Sequence, residues 1–195
     1  MPVRPAHSHA MAPPWAALAI VLVALIAVTS CTHPAATVVL PGGSGRGLVM
    51  TVTHVVDGDT VDVRGADGGT ERARLLGIDT PETVKPNTPV QCFGPEASAR
   101  VKTLLPPGTR VAVQRDTEAR DRYGRLLLYV WRQSDGLFVN ASLVSDGFAR
   151  ILSIEPNTAH RRDLGARAAA ARDHRLGLWG RCGIGTGTST PRPSR

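Results

Sequence analysis

Residues 48–56 and Thr60–Arg64 both have strand composition, and only Asp57, Gly58 and Asp59 lie between them. A link that short joins an antiparallel hairpin, because parallel strands need a crossover of a dozen residues or more. Antiparallel β-structure is therefore expected from the start of the core. A second turn at residues 65–69 leads into residues 71–78, whose mixed charged and apolar composition suits a third, half-buried strand that delivers Arg74 to one face.

A helix is expected over residues 94–105, with Pro95 in its first turn, Glu96 at its positive N-terminus, and Pro106, Pro107 and Gly108 ending it. Arg110–Gln114 and residues 126–131 give a fourth and fifth strand, and Val139–Ser145 a short helix stopped by Gly147. The last helix is expected over residues 160–176, with Leu164, Ala168 and Ala171 along one side. No internal repeat is present. Five short strands with interleaved helices make an α+β domain, and an OB-type barrel is compatible with that order.

The first residues read as a targeting segment, 1–30, rather than as fold. Arg4 precedes an uninterrupted apolar run at residues 16–28, shorter than the roughly 20 residues that span a bilayer and suited to a signal-peptide core. The run ends in Val28-Thr29-Ser30-Cys31, which resembles a bacterial lipobox, so Cys31 is the expected lipidation site of an exported, envelope-anchored protein. Ordinary secretory cleavage with Cys31 incidental is the alternative. Residues 32–47 are small and contain Pro and Gly, as a flexible tether does, residues 48–182 form the domain, and residues 183–195 carry no core-forming pattern.

If Cys31 is consumed by lipid, Cys92 and Cys182 remain, and in an oxidising compartment they are expected to pair. Two unrelated buried thiols are the alternative reading. Neither has a base close in sequence, so neither is a candidate nucleophile. The net charge of +7 favours a polyanionic partner without identifying it, and tail arginines such as Arg192 and Arg195 contribute to it.

Chemistry concentrates in three segments: DGDT from Asp57, RLLGIDTPE from Arg74 to Glu82, and DRYGR from Asp121 to Arg125. A hard divalent cation wants oxygen ligands, about 6 to 8 for calcium, and Asp59, Asp79 and the Thr80 carbonyl form a partial shell that water completes. Arg74 and Arg125 answer the opposite charge, since a planar guanidinium grips two phosphate oxygens at once. Taken singly, each has a bland reading: Asp57 and Asp59 as turn formers, residues 79–82 as a cap, the arginines as solvated ion pairs, Tyr123 as core packing. Jointly they make a complete metal and phosphate inventory.

These segments, with FGPEAS from Phe93 and VNASLVSDGFA from Val139, occur in an order that resembles the thermonuclease family typified by staphylococcal nuclease, over residues 48–182. The resemblance implies an OB-fold five-stranded β-barrel with three α-helices. It also implies a calcium-dependent phosphodiesterase that cuts DNA and RNA to 3′-phosphate ends as a monomer. It assigns calcium ligation to Asp59, Asp79 and Thr80, an outer-shell place to Asp57, water activation to Glu82, phosphate clamping to Arg74 and Arg125, and a further phosphate contact to Tyr123. One segment departs: RILSIEP, from Arg150, is one residue shorter than the family pattern and has Ser153 and Ile154 where that pattern carries base-stacking tyrosines. A nucleic-acid-binding OB-fold lipoprotein without catalysis is the competing expectation, and a scaffold that meets anionic lipid or wall polymer ranks below it.

Overall fold

The computed structural model describes residues 37–39, 46–84, 87 and 89–183. Strand β1 (Thr37–Val39) pairs with the start of β2 (Arg46–Val55), Thr37 opposite Leu48. From β2 the chain turns at Asp57–Asp59 into β3 (Thr60–Arg64), and β3 pairs antiparallel with β4 (Thr70–Leu75), Thr60 opposite Arg74. The expected hairpin is present. Residues 37–39, 46 and 47, expected as tether, lie in these first strands, because two extended segments close in sequence satisfy their backbone groups by pairing. The signal segment, Cys31 and residues 184–195 fall outside the described residues.

After β4 come β5 (Gly77–Asp79), α1 (Gly94–Leu104), β6 (Arg110–Gln114), β7 (Leu126–Arg132), α2 (Val139–Ser145), β8 (Arg150–Leu152), α3 (Arg161–Asp173) and the single turn α4 (Leu178–Arg181). β4 lies parallel to β7, β7 antiparallel to β6, and β6 returns to β2 with Leu48 opposite Val113. The ring β2-β3-β4-β7-β6 is thus a closed five-stranded barrel, the OB-fold, with β1 added to its rim. Within the barrel β2 serves both β3 and β6, and its register shifts between Val52 and His54, a bulge that bends a long strand. Val52, Val61, Val63, Leu75, Leu126 and Leu128 fill the interior. Among the described residues no helix is long and apolar enough to cross a membrane.

The expected single strand at 71–78 is in fact two. Gly77 has φ 76°, and a Cβ there would lie 2.5 Å from Leu164 Cδ1, so the chain turns tightly under α3 and leaves the barrel. β5 then pairs with β8, Asp79 opposite Arg150. That break lifts Asp79 off the barrel wall.

Cys92 and Cys182 are bonded, which ties the start of α1 to the end of α4. Closing 90 residues of chain restricts the unfolded state by about 4.6 kcal/mol in the loop-entropy account.

On α2, Asn140 is fully buried and satisfies groups the barrel leaves over. Its Nδ2 donates to Leu76 O at 2.9 Å and its Oδ1 accepts from Val130 N at 3.0 Å. It thereby fixes the strand break to the neighbouring wall. Asn140→Ala should cost about 3 kcal/mol, since it orphans a buried N–H and leaves a void. Urea unfolding checks this, and a loss below about 1 kcal/mol would contradict the bridging role.

Candidate active site

The DGDT turn is built around its own carboxylates. Asp57 Oδ1 accepts the Asp59 N–H at 3.0 Å, the local bond that makes Asp a turn former. Gly58 lies so close to Thr80 that a Cβ would meet its Oγ1 at 2.6 Å. Only glycine lets the turn dock there. Asp59 then enters the space behind the turn, 7% exposed.

The Asp59 carboxylate bonds its neighbour Thr60 and also reaches two distant parts of the chain. Its Oδ2 accepts from Thr80 N at 2.9 Å and Thr80 Oγ1 at 3.1 Å, and its Oδ1 from Thr60 Oγ1 at 3.1 Å. Arg74 Nη1 stands 2.8 Å from Oδ2, and Arg74 Nη2 donates to Asp79 Oδ1 at 3.2 Å. The hairpin turn, β4 and the end of β5 therefore meet at one carboxylate.

The cleft above this knot, about 470 Å³, is lined by Asp57, Asp59, Arg74, Asp79, Thr80, Glu82, Tyr123 and Arg125. All eight site positions expected there come together. A larger surface hollow of about 650 Å³, around Leu104, Arg110 and Arg132, contains none of them.

The cleft is crowded with negative charge. Burial and then the neighbouring charge of Asp59 push the Asp57 carboxyl up to about 6. Burial likewise raises Asp79, with Asp59 and Glu82 adding to it, against the lowering influence of Arg74 and of Arg150. Carboxylates that resist ionisation beside one another suit a cation, and an all-oxygen set suits a hard one such as calcium. Among the described residues no three His, Cys, Asp or Glu side chains converge as ligands. A cation here would therefore rest on Asp59, Asp79, the Thr80 carbonyl and water.

Glu82 follows Pro81, and its Oε1 accepts from the backbone N–H groups of Thr83 and Val84, each at 2.9 Å. Arg125 is set by Asp121, which sequence reading did not single out. Asp121 Oδ2 accepts from Arg125 Nε at 2.7 Å, while its Oδ1 accepts the backbone N–H groups of Tyr123 and Arg125. Burial alone would raise the Asp121 carboxyl, but those bonds outweigh it and its pKa falls. The signal was present as an Asp and an Arg at the two ends of the DRYGR turn.

Tyr123 is 67% exposed and is not core packing. The guanidiniums of Arg122 and Arg125 lie 4.8 and 5.5 Å from its ring centroid. With Arg74 and Arg125 it also borders a second cleft of about 480 Å³, whose apolar wall includes Leu76, Leu152 and Ile154. Among the described residues Tyr123 is the one aromatic that lines it, so the departure at Ser153 and Ile154 leaves an aliphatic wall.

The family model described as Staphylococcal nuclease homologue matches residues 72–181, more than half of the chain. This chain belongs to that family. It is 43% identical over 136 residues to the thermonuclease of Staphylococcus intermedius, covering 70% of this chain and 79% of that one. It is 39% identical over 128 residues to the thermonuclease of Staphylococcus hyicus, 66% and 73% of the two chains. It is 37% identical over 138 residues to the endonuclease YncB of Bacillus subtilis, 70% and 64%. The staphylococcal nuclease match includes Arg74, Asp79, Thr80, Glu82, Tyr123 and Arg125, and begins after Asp57 and Asp59.

In this family member the charge crowding has a measurable cost. Asp57 titrates above its ordinary 3.8, so the stability owed to its protonated form is complete below that pH and is lost as pH rises through about 6. Asp57→Asn keeps the acceptor for Asp59 N–H and removes the charge. Allowing for partial exposure, it should stabilise the cation-free protein at neutral pH by about 1 kcal/mol and do nothing near pH 3. Urea unfolding in chelator at both pH values measures the difference; a less stable variant at neutral pH would contradict it.

Proposed function

We propose that the chain is a calcium-dependent nuclease that hydrolyses DNA and RNA outside the cytoplasm and leaves 3′-phosphate ends. That it is a phosphodiester-hydrolysing nuclease rests on its family and on relatives that are thermonucleases and an endonuclease. The finer reading rests on one observation: Asp59, Asp79, Glu82, Arg74 and Arg125 converge on one cleft.

A phosphodiester repels an incoming water or hydroxide, and the side chains divide the work of overcoming that. Arg74 and Arg125 hold the phosphate oxygens, and Asp121 keeps the Arg125 fork turned toward the cleft. Asp59, Asp79 and the Thr80 carbonyl would hold the cation. When bound, calcium supplies charge neutralisation and polarises a phosphoryl oxygen, while acidifying water little. A carboxylate must therefore orient the attacking water and take its proton, and Glu82 has that place. Tyr123 offers a further contact to phosphate. In-line attack expels the 5′ oxygen, so the phosphate stays on the 3′ side.

The Cys92–Cys182 bond supports the extracytoplasmic reading, since such bonds persist in oxidising compartments. We extend it to a lipid anchor at Cys31, on the sequence pattern alone.

With millimolar calcium the purified protein should cut single-stranded DNA and RNA, and a chelator should stop both. Glu82→Gln should lower kcat by about 10² to 10⁴. Cleavage that survives chelation, or that Glu82→Gln leaves intact, would overturn the mechanism; binding without cleavage would favour the non-catalytic alternative.

A further inference from the structure

We propose that Gln91 is a positioning residue for Glu82, an inference that rests on the catalytic role just given to Glu82. The two residues are nine positions apart, and the Glu82 peptide is held at both its groups. Glu82 N donates to Gln91 Oε1 at 3.0 Å, and Gln91 N donates to Glu82 O at 2.9 Å. The clamp closes the loop on the residue whose placement matters most for proton transfer.

Gln91 can hold Glu82 only if it is itself fixed, and three contacts fix it. Gly94 N donates to Gln91 O at 3.0 Å, which joins it to the start of α1. The next residue, Cys92, is bonded to Cys182 beyond α4. Phe93 follows with φ 68°, its ring 5.3 Å from that of Phe148. The start of helix α1 also packs close to the same peptides: a Cβ on Gly94 would stand 3.0 Å from Glu82 O and 3.1 Å from Pro81 O. The segment from Gln91 to Gly94 thus holds the Glu82 peptide closely.

The carboxylate inherits this placement. Oε1 is tied to the N–H groups of Thr83 and Val84, the peptides that follow the clamped one, so a shift of the Glu82 backbone moves donors and carboxylate together. General-base catalysis is steep in position, because a carboxylate displaced by a fraction of an ångström no longer lines up with the attacking water. Gln91 is exposed and lies outside the core, so its amide can be removed without opening a cavity.

The test is steady-state cleavage of single-stranded DNA in calcium by Gln91→Ala, Gln91→Glu, Glu82→Gln and the Glu82→Gln/Gln91→Ala double variant. Gln91→Ala should lose about tenfold in kcat with KM nearly unchanged. Gln91→Glu should recover most of that loss, because a carboxylate oxygen accepts the same N–H. On the Glu82→Gln background Gln91→Ala should add nothing, the signature of action through Glu82. The inference is overturned if Gln91→Ala matches wild type while Glu82→Gln is impaired, if the loss falls on KM, or if it persists undiminished without the Glu82 carboxylate. Wild-type kcat in Glu82→Gln would instead overturn the role of Glu82 itself, and this inference with it.

Discussion

The buried carboxylate of Asp59 is the contact on which the cleft depends. An ionised group in that position is expensive unless its oxygens are satisfied, and four separate donors meet this one: the Thr80 amide, two threonine hydroxyls and Arg74. Thr60 is the adjacent residue, but Thr80 and Arg74 come from parts of the chain that would otherwise be free to move. The requirement to solvate Asp59 therefore fixes Arg74 on β4 and Thr80 after β5 relative to the hairpin turn. The geometry of the cleft follows from charge burial.

Asp59 also explains the two other features of the cleft. Its charge helps hold Asp57 in reluctance to ionise, and it shares Arg74 with Asp79, so the arginine proposed to answer phosphate is held by the acids proposed to answer a cation. The site is poised between an internal ion-pair network and an external cation and anion. Base recognition is another matter. The second cleft meets the first at Tyr123 and Arg125, but its wall is aliphatic, with Leu152 and Ile154, and Ser153 and Ile154 stand where the family pattern carries stacking tyrosines. Losing an aromatic face removes about 1 to 3 kcal/mol per stacked base, which affects affinity and base preference and leaves phosphate chemistry alone.

Much of this was written in the sequence because the decisive elements are short and locally determined. The DGD turn, Pro95 at a helix start and the Pro106-Pro107-Gly108 stop act through their immediate neighbours, and all three stand where expected. The break at Gly77 was not visible, since what demands it is Leu164, packed from a helix far along the chain. Strands of three residues, such as β1 and β8, are too short to carry a period and exist by pairing. Asp121, named only as the start of DRYGR, and Gln91 were given no role for a related reason: each acts by bonding a neighbour's backbone or side chain, and residue type alone does not announce that.

The central claim is that Asp59 and Asp79 together form a site for one hard cation, and calcium titration calorimetry on the purified protein tests it most directly. Wild type should bind a single calcium ion per chain, with Asp59→Asn and Asp79→Asn each abolishing the heat of binding while circular dichroism shows the barrel intact. Undiminished binding in either folded variant, or none in wild type, would contradict the account.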